Sequence, residues 1–311
     1  MNVDDEKDQR DVLKIMSFNV YDHRCNADGR TARAMIDMSG CDIVCTQEEP
    51  AAAEDTQYYT RLTTCGEGNE RVGVYYKKNM EPVPNVEECI ETIPPPPLNE
   101  ELPRRYAIIF EYKGIRIANL HLEGGGYADH ELCHGNKTKI YKYKMELLRE
   151  VMRRDPDIIM GDFNSVYSSN EEQLQHFLSG QETYFHGRCP GKVDTRFINT
   201  WNRHPFSELK VRYTYAIPTN EGETYTSALG KSIVDTIWYK TGTRKFTFLE
   251  SRIVPIVGDP FDHRNCPYSD HNPVLLAIQL TSGGGRRLRR RTVHKQRRSH
   301  RKRKTQRKNR R

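Results

Sequence analysis

Short apolar runs rich in β-branched residues recur along the chain, and each breaks off at a polar residue. Leu13-Lys14-Ile15-Met16-Ser17-Phe18-Asn19-Val20 predicts a strand closing at Asn19, and Cys41-Asp42-Ile43-Val44-Cys45-Thr46-Gln47-Glu48 predicts a second, buried one. Between them, Ala27 to Ser39 carries Ala, Met and Ile at helical spacing, with Gly40 placed to stop the helix. Arg71 to Lys77 alternates as a strand. Tyr106 to Tyr112 and Ile115 to Leu122 flank Lys113-Gly114, which is a hairpin signature. Ile140 to Arg153 is amphipathic at helical spacing and leads into Ile158-Ile159-Met160, a strand that ends in Gly161-Asp162-Phe163-Asn164. Ser169 or Asn170 is placed to cap a short helix through Leu178. Residues 180–230 read as loop-rich, and Ser232 to Tyr239, Phe246 to Val254 and Pro273 to Leu280 predict three more strands. The segments around Asp42 and Asp157 look alike: in both, a helix is followed by Asp-Ile-(Val/Ile), and an acid follows five or six residues later. This predicts two related halves, each delivering a carboxylate to one rim.

At 311 residues the chain is long enough for a self-supporting core. Its net charge of +7 is unevenly spread. Gly283 to Arg311 holds 16 Lys/Arg and no acid, so the first 282 residues carry 33 bases against 42 acids, a net of −9. This divides the chain into a polar lead-in (1–11), one catalytic-sized domain (12–281), and a glycine hinge with a disordered basic tail (282–311). The eight cysteines are scattered with no C-x-x-C pair, which reads as reduced thiols rather than a disulfide framework. The charged start has no apolar core of a secretory signal, and no run approaches a membrane span; the expectation is an intracellular protein, nuclear or cytoplasmic.

The polar residues at the strand ends are Asn19, Glu48, His121, Asp162 with Asn164, Asp235, and Asp270-His271. They comprise carboxylates, amides and two histidines, with no Lys or Arg. Clustered carboxylates repel unless a cation lies among them, and an oxygen-rich set favours Mg²⁺ or Mn²⁺ over zinc. Neither His130 with Cys133 and His134 nor His263 with Cys266 fits a structural zinc spacing.

The ordered series Ser-Phe-Asn19, Gln47-Glu48, Asn-Leu-His121-Leu, Gly-Asp162-Phe-Asn164, Val-Asp235-Thr-Ile and Ser-Asp270-His271 resembles the endonuclease/exonuclease/phosphatase (DNase I-like) superfamily, across residues 13 to 280. The resemblance implies an α/β (α+β) fold: a four-layer sandwich of two packed mixed β-sheets flanked by helices. It also implies roles. Glu48 would hold the divalent ion with Asn19 and Asp270 near it. Asp162 would orient or deprotonate the attacking water, and Asn164 would hold the phosphate or the nucleophile. His271 would pair with Asp235, while His121 would donate to a phosphate oxygen or the leaving group. Abasic-site endonucleases carry an acid two residues after the first Asn. Here Tyr21 stands there and Asp22 follows one place late. The Trp-Cys-Asp-Arg run of inositol phosphatases is replaced by Val234-Asp235-Thr236-Ile237-Trp238-Tyr239, which is closer to the nuclease branches.

A tail with this charge cannot bury a core and binds phosphate in a salt-dependent, sequence-blind way. The residues expected to contact nucleic acid are Arg286, Arg287, Arg289, Arg290, Arg291, Arg301, Lys302, Arg303 and Lys304. The sequence therefore reads as a Mg²⁺-dependent (or Mn²⁺-dependent) nuclease whose tail tethers DNA or RNA. One alternative is a phosphatase or phosphodiesterase on small or lipid phosphate esters, of the inositol-phosphate or sphingomyelin type. Another is a non-catalytic nucleic-acid-binding protein on the same fold.

Overall fold

The computed structural model describes residues 12–20, 30–50, 53–68, 70–95, 102–124, 137–168, 172, 174–176, 178–179, 195–220, 224–227, 230–255, 269 and 271–281. Asp270, the loop after Gly124, both candidate zinc corners and the whole tail lie outside them.

Two six-stranded sheets form the centre. The first has the order β13(Phe246–Ile253), β14(Val274–Leu280), β1(Val12–Asn19), β2(Ile43–Glu49), β4(Arg71–Lys77), β3(Tyr59–Cys65). The second runs β5(Asn85–Thr92), β6(Arg105–Tyr112), β7(Ile115–His121), β8(Ile158–Asp162), β12(Asp235–Lys240), β9(Tyr213–Tyr215). β10(Tyr225–Ser227) and β11(Gly230–Ser232) form a separate two-stranded sheet among the described residues. Each large sheet contains one parallel pair, β1 with β2 and β7 with β8; the other pairs are antiparallel.

Alternation along each strand divides its side chains between two cores. Leu13, Ile15, Ile43, Cys45, Ile115, Ile117, Ile158, Met160, Ile237 and Leu276 meet between the sheets. Met16, Phe18 and Val44 face the other way, onto Met35 and Ile36 of α1(Arg30–Met38). On the far side Ala118, Leu120, Ile159 and Trp238 pack on α2(Lys137–Arg153) and α3(Thr195–Leu209) through Leu147, Leu148, Val151, Phe206 and Leu209. The order is helix, sheet, sheet, helices, so the expected four-layer sandwich is the one observed.

The two expected halves also have a structural counterpart. Asp42 Oδ2 accepts the Lys14 N–H at 2.8 Å, and Asp157 Oδ2 accepts the Arg116 N–H at 2.9 Å. The N–H groups of Asp42 and Asp157 donate back to Lys14 O and Arg116 O, each at 2.8 Å. The two Asp-Ile-(Val/Ile) segments thus lock the two parallel pairs at equivalent places.

Several expectations need correction. Residues 180–230 are not all loop: α3 lies there. Its sequence includes Pro205 and several weak helix formers, so it is held by the Phe206 and Leu209 face rather than by propensity. β3 and β5 carry no clean alternation and were not expected. The single strand expected over Ser232 to Tyr239 is two, because Thr224 Oγ1 takes the N–H groups of Val234 and Asp235 at 2.8 and 3.0 Å and interrupts the ladder. Finally, Cys65 and Cys89 are not reduced thiols. They form a disulfide between β3 and β5, the edge strands of opposite sheets, across a sequence separation of 24. Cys41 and Cys45 are buried free thiols, with burial raising both. Spacing alone does not show that two edges will lie against each other.

Closing a loop of this length restricts the unfolded chain enough to contribute about 3 kcal/mol. The Cys65→Ser/Cys89→Ser variant should therefore unfold in urea with about 3 kcal/mol less free energy than the oxidised protein. An unchanged midpoint would mean that the bridge constrains nothing.

Candidate active site

Strand parity builds the site. Asn19 falls on the same face as Leu13 and Ile15, His121 on that of Ile115 and Ile117, Asp162 on that of Ile158 and Met160, and Asp235 on that of Ile237. Where each strand leaves the inter-sheet core, its next inward side chain is polar. Register sets these side by side, with His121 and Asp235 each paired across from Asp162. That fit needs Gly161. A Cβ there would come within 1.9 Å of the Leu120 carbonyl oxygen, and its φ of +141° is one L side chains rarely adopt. Glu48 reaches the same face by another route. A bulge between Gln47 and Glu49, with φ of +54° at Glu48, departs from the alternation.

Beneath the site the sheets are tied by polar groups. Gln47 Nε2 donates to Asn119 Oδ1 at 2.6 Å, and Asn119 Nδ2 reaches the Thr46 and Gly73 carbonyls at 2.9 Å each. Above this tie, Asn19 Nδ2 lies 3.0 Å from both Glu48 Oε1 and Asp162 Oδ2. Asp162 Oδ1 accepts the Asn164 N–H at 2.7 Å, and Asn164 Nδ2 donates to Leu122 O at 2.9 Å. His121 Nε2 is 3.7 Å from both Glu48 Oε1 and Asp162 Oδ2. His271 Nδ1 donates to Asp235 Oδ2 at 2.7 Å, which aims its Nε2 at Asp162 Oδ2, 3.9 Å away. Ser269 Oγ, bonded to Asn19 O at 2.7 Å and to His271 N at 3.1 Å, anchors the final segment.

The protonation states follow from these neighbours. Burial, then the charges of Arg105, His271 and Lys144, push His121 well below the usual histidine range. Arg105 Nη1 sits 3.3 Å from His121 Nδ1, and a guanidinium can only donate. The neutral ring therefore accepts at Nδ1 and carries its proton on Nε2, toward Glu48 and Asp162. Arg105 is held in turn by Glu70 and by Glu123 Oε2, the latter at 3.0 Å from Nε. Burial above all raises the Asp235 carboxyl, to about 7 once the opposing effect of His271 and the added push of Asp162 are included. A proton shared within the Asp235–His271 pair is thus favoured near neutrality.

Seven of the eight expected core residues meet here: Asn19, Glu48, His121, Asp162, Asn164, Asp235 and His271. The eighth, Asp270, and the tail residues from Arg286 to Lys304 lie outside the described residues. Sequence reasoning missed Arg105, Glu70 and Thr224. Each is remote in sequence from the group it supports, and no spacing marks them. Ligand atoms of Glu48, His121 and Asp162 lie within 4.8 Å of one another, as do those of Asp162, Asp235 and His271. With His121 neutral, amide and imidazole N–H groups lie between the Glu48 and Asp162 carboxylates among the described residues. That donor set fits a hard divalent cation.

The model of the endonuclease/exonuclease/phosphatase family matches residues 16–271, which spans this whole constellation. The chain belongs to this family. No curated protein sequence gives a significant match to it. Among solved structures, an AP endonuclease of Leishmania major superposes with a TM-score of 0.53 at 14% identity, over 90% of this chain and 91% of its own. The 3′ phosphatase NExo from Neisseria, bound to product DNA hairpin, gives 0.52 at 15% identity over 85% and 98%. A mannosyl-6-phosphatase of Bacteroides thetaiotaomicron gives 0.51 at 15% identity over 86% and 99%. At these identities the likeness shows the shared endonuclease/exonuclease/phosphatase fold. The family comprises nucleases and phosphatases, enzymes that generally hydrolyse phosphoester bonds.

A histidine kept neutral in the fold takes up a proton only on unfolding, so its share of stability falls as pH drops below about 6.5. Between pH 6.5 and 5, the unfolding free energy should decline more steeply in the wild type than in His121→Gln, by up to about 1.4 kcal/mol per pH unit. Parallel slopes in the two proteins would show that His121 is not held neutral.

Proposed function

We propose that this chain is a Mg²⁺- or Mn²⁺-dependent phosphodiesterase that hydrolyses nucleic acid. The observation that carries the reading is the setting of Asp162: one oxygen on the Asn164 N–H, the other shared between Asn19, His121 and His271. In this reading Asp162 and His271 Nε2 hold the attacking water between them, and His271 Nε2 takes its proton. Asp235 fixes the His271 tautomer and supports the charge that develops on the ring. The water oxygen bonds to phosphorus as the ester P–O bond breaks. The neutral His121 donates its Nε2 proton in a hydrogen bond to a phosphate oxygen, and the Asn164 amide orients the group under attack. Glu48, with Asn19 and Asp270, would hold the ion, which when bound neutralises the non-bridging oxygens.

The substrate part of the proposal rests on the tail. Sixteen cations in 29 residues supply the phosphate attraction that a body of net charge −9 does not, and a tethered arm raises the local concentration of polymer. A nuclear or cytoplasmic place of action belongs to the same proposal; among the described residues no helix is long and apolar enough to cross a membrane. A second reading, hydrolysis of small phosphate esters, is favoured by the same −9, which repels a polyanion around the site.

Asp162→Asn should lower turnover by about a thousandfold while the fold is kept. Turnover should be measured on a plasmid, a single-stranded RNA with a poly(A) end and an inositol phosphate, each with and without Mg²⁺. Full activity of the variant on every substrate would reject the assignment. Mg²⁺ or Mn²⁺ should raise the melting temperature by mass action, and Glu48→Gln should abolish that rise. Removing residues 283–311 should weaken polymer binding and flatten its salt dependence. If the truncated chain binds and cuts polymer like the full one, the tail is no tether; if it keeps its turnover on the inositol phosphate and neither form cuts polymer, the small-ester reading gains.

A further inference from the structure

Asn164 sits at a φ of +46°, a left-handed backbone conformation that is uncommon outside glycine. Its carbonyl oxygen receives two donors from the two helices of the outer layer. Lys144 Nζ of α2 donates at 2.6 Å and Trp201 Nε1 of α3 at 3.0 Å. The Lys144 ammonium also lies 4.1 Å above the Trp201 ring. Both side chains are buried. The following residues are tied to the same turn of α3: Ser165 Oγ donates to Trp201 O, and the Val166 N–H to Asn202 Oδ1, each at 2.9 Å. On the other side, a Cβ at Gly124 would come within 2.8 Å of Asn164 Oδ1, so the amide fits against bare backbone.

This is an uncommon use of a lysine. A buried ammonium costs several kcal/mol of desolvation unless it is paired, and among the described residues the structure gives Lys144 no salt bridge. Burial pushes the Lys144 amine well below the usual lysine range, and the Asp162 and Glu123 carboxylates act against that shift. Its hydrogen bond goes to a main-chain carbonyl and it lies over an aromatic face. A methionine there would fill similar space without that cost. What the ammonium does, and an apolar side chain cannot, is hold one carbonyl oxygen in one place.

We propose that Lys144 and Trp201 are positioning residues: a two-donor clamp on the Asn164 carbonyl that holds the Asn164 amide in the orientation hydrolysis needs. The inference rests on the proposed hydrolysis at Asp162 and Asn164, and it adds two residues from the helical layer that never touch the substrate. The two donors share one acceptor, so their effects are coupled.

The test uses the full chain with Mg²⁺ and the chromogenic diester bis(p-nitrophenyl) phosphate, measuring kcat, KM and melting temperature. Lys144→Met should lower kcat tenfold to a hundredfold with KM changed less than threefold, while the melting temperature holds or rises because a buried charge has gone. Trp201→Phe, which keeps a ring beneath the ammonium but loses the N–H, should lower kcat threefold to tenfold. The double variant should lose less than the product of the two single losses. In Lys144→Ala, ethylamine should restore part of kcat where ethanol does not. A lysine that only supports the fold would lose melting temperature and keep kcat, and that result overturns the clamp. So does strict multiplicativity in the double variant. Where Lys144→Met fails to fold, an unchanged kcat in Trp201→Phe overturns it instead. An inactive wild type, by contrast, sinks the hydrolase reading itself and the catalytic role of the clamp with it.

Discussion

One amide joins the two halves of the molecule at the place where chemistry is expected. Asn19 belongs to the first sheet and Asp162 to the second, 143 residues apart, and the Asn19 amide nitrogen lies 3.0 Å from the Asp162 carboxylate. The same nitrogen is 3.0 Å from Glu48. Two acids therefore share one neutral donor, which is too little to offset their repulsion. The sandwich must be packed closely enough for this contact to form, and the Gln47–Asn119 bridge beneath it maintains that spacing. A hydrogen bond to a charged group contributes about 1.5–3 kcal/mol, so the joint stabilises the sheet interface while leaving net negative charge in the pocket.

The charges around that pocket are arranged in shells. The inner shell is acidic and amidic. Behind it lie two buried cations, Arg105 against His121 and Lys144 against Asn164, each on a different element of the second sheet's side. Neither reaches the carboxylates with a direct salt bridge among the described residues. Arg105 adds to the burial that keeps the His121 imidazole neutral, and Lys144 holds a carbonyl. A site built to receive both a cation and a phosphate needs this separation, because a lysine or arginine among the acids would fill the cation's place.

The periphery is secured differently. On one flank the sheet edges β3 and β5 are joined covalently through Cys65 and Cys89. That bridge stands close in sequence to Glu70, which follows the β3 end and supports Arg105, and through it His121. A covalent link at the edge and a polar tie at the centre thus brace the same end of the sandwich.

Much of this was present in the one-dimensional pattern. Period-two alternation fixes which side chains of β1, β7, β8 and β12 face inward. Asn19, His121 and Asp162 therefore had to share a face with the core residues before them, and Asp235 with Ile237 after it, whatever the topology. The local Asp-Ile-(Val/Ile) segments, the Lys113-Gly114 turn and the α2 periodicity were legible for the same reason: they depend on near neighbours in the chain. Tertiary structure alone decided the rest. Glu48 enters through a bulge that breaks the alternation, and α3 is helical because of what it packs on. The Cys65–Cys89 bridge depends on two edges meeting, and the partners of His121 and Asn164 come from strands and helices far away in sequence. Parity and turn chemistry are local and leave a mark in the sequence. A hydrogen bond between residues brought together only by sheet packing depends on distances that the sequence does not encode at any fixed spacing.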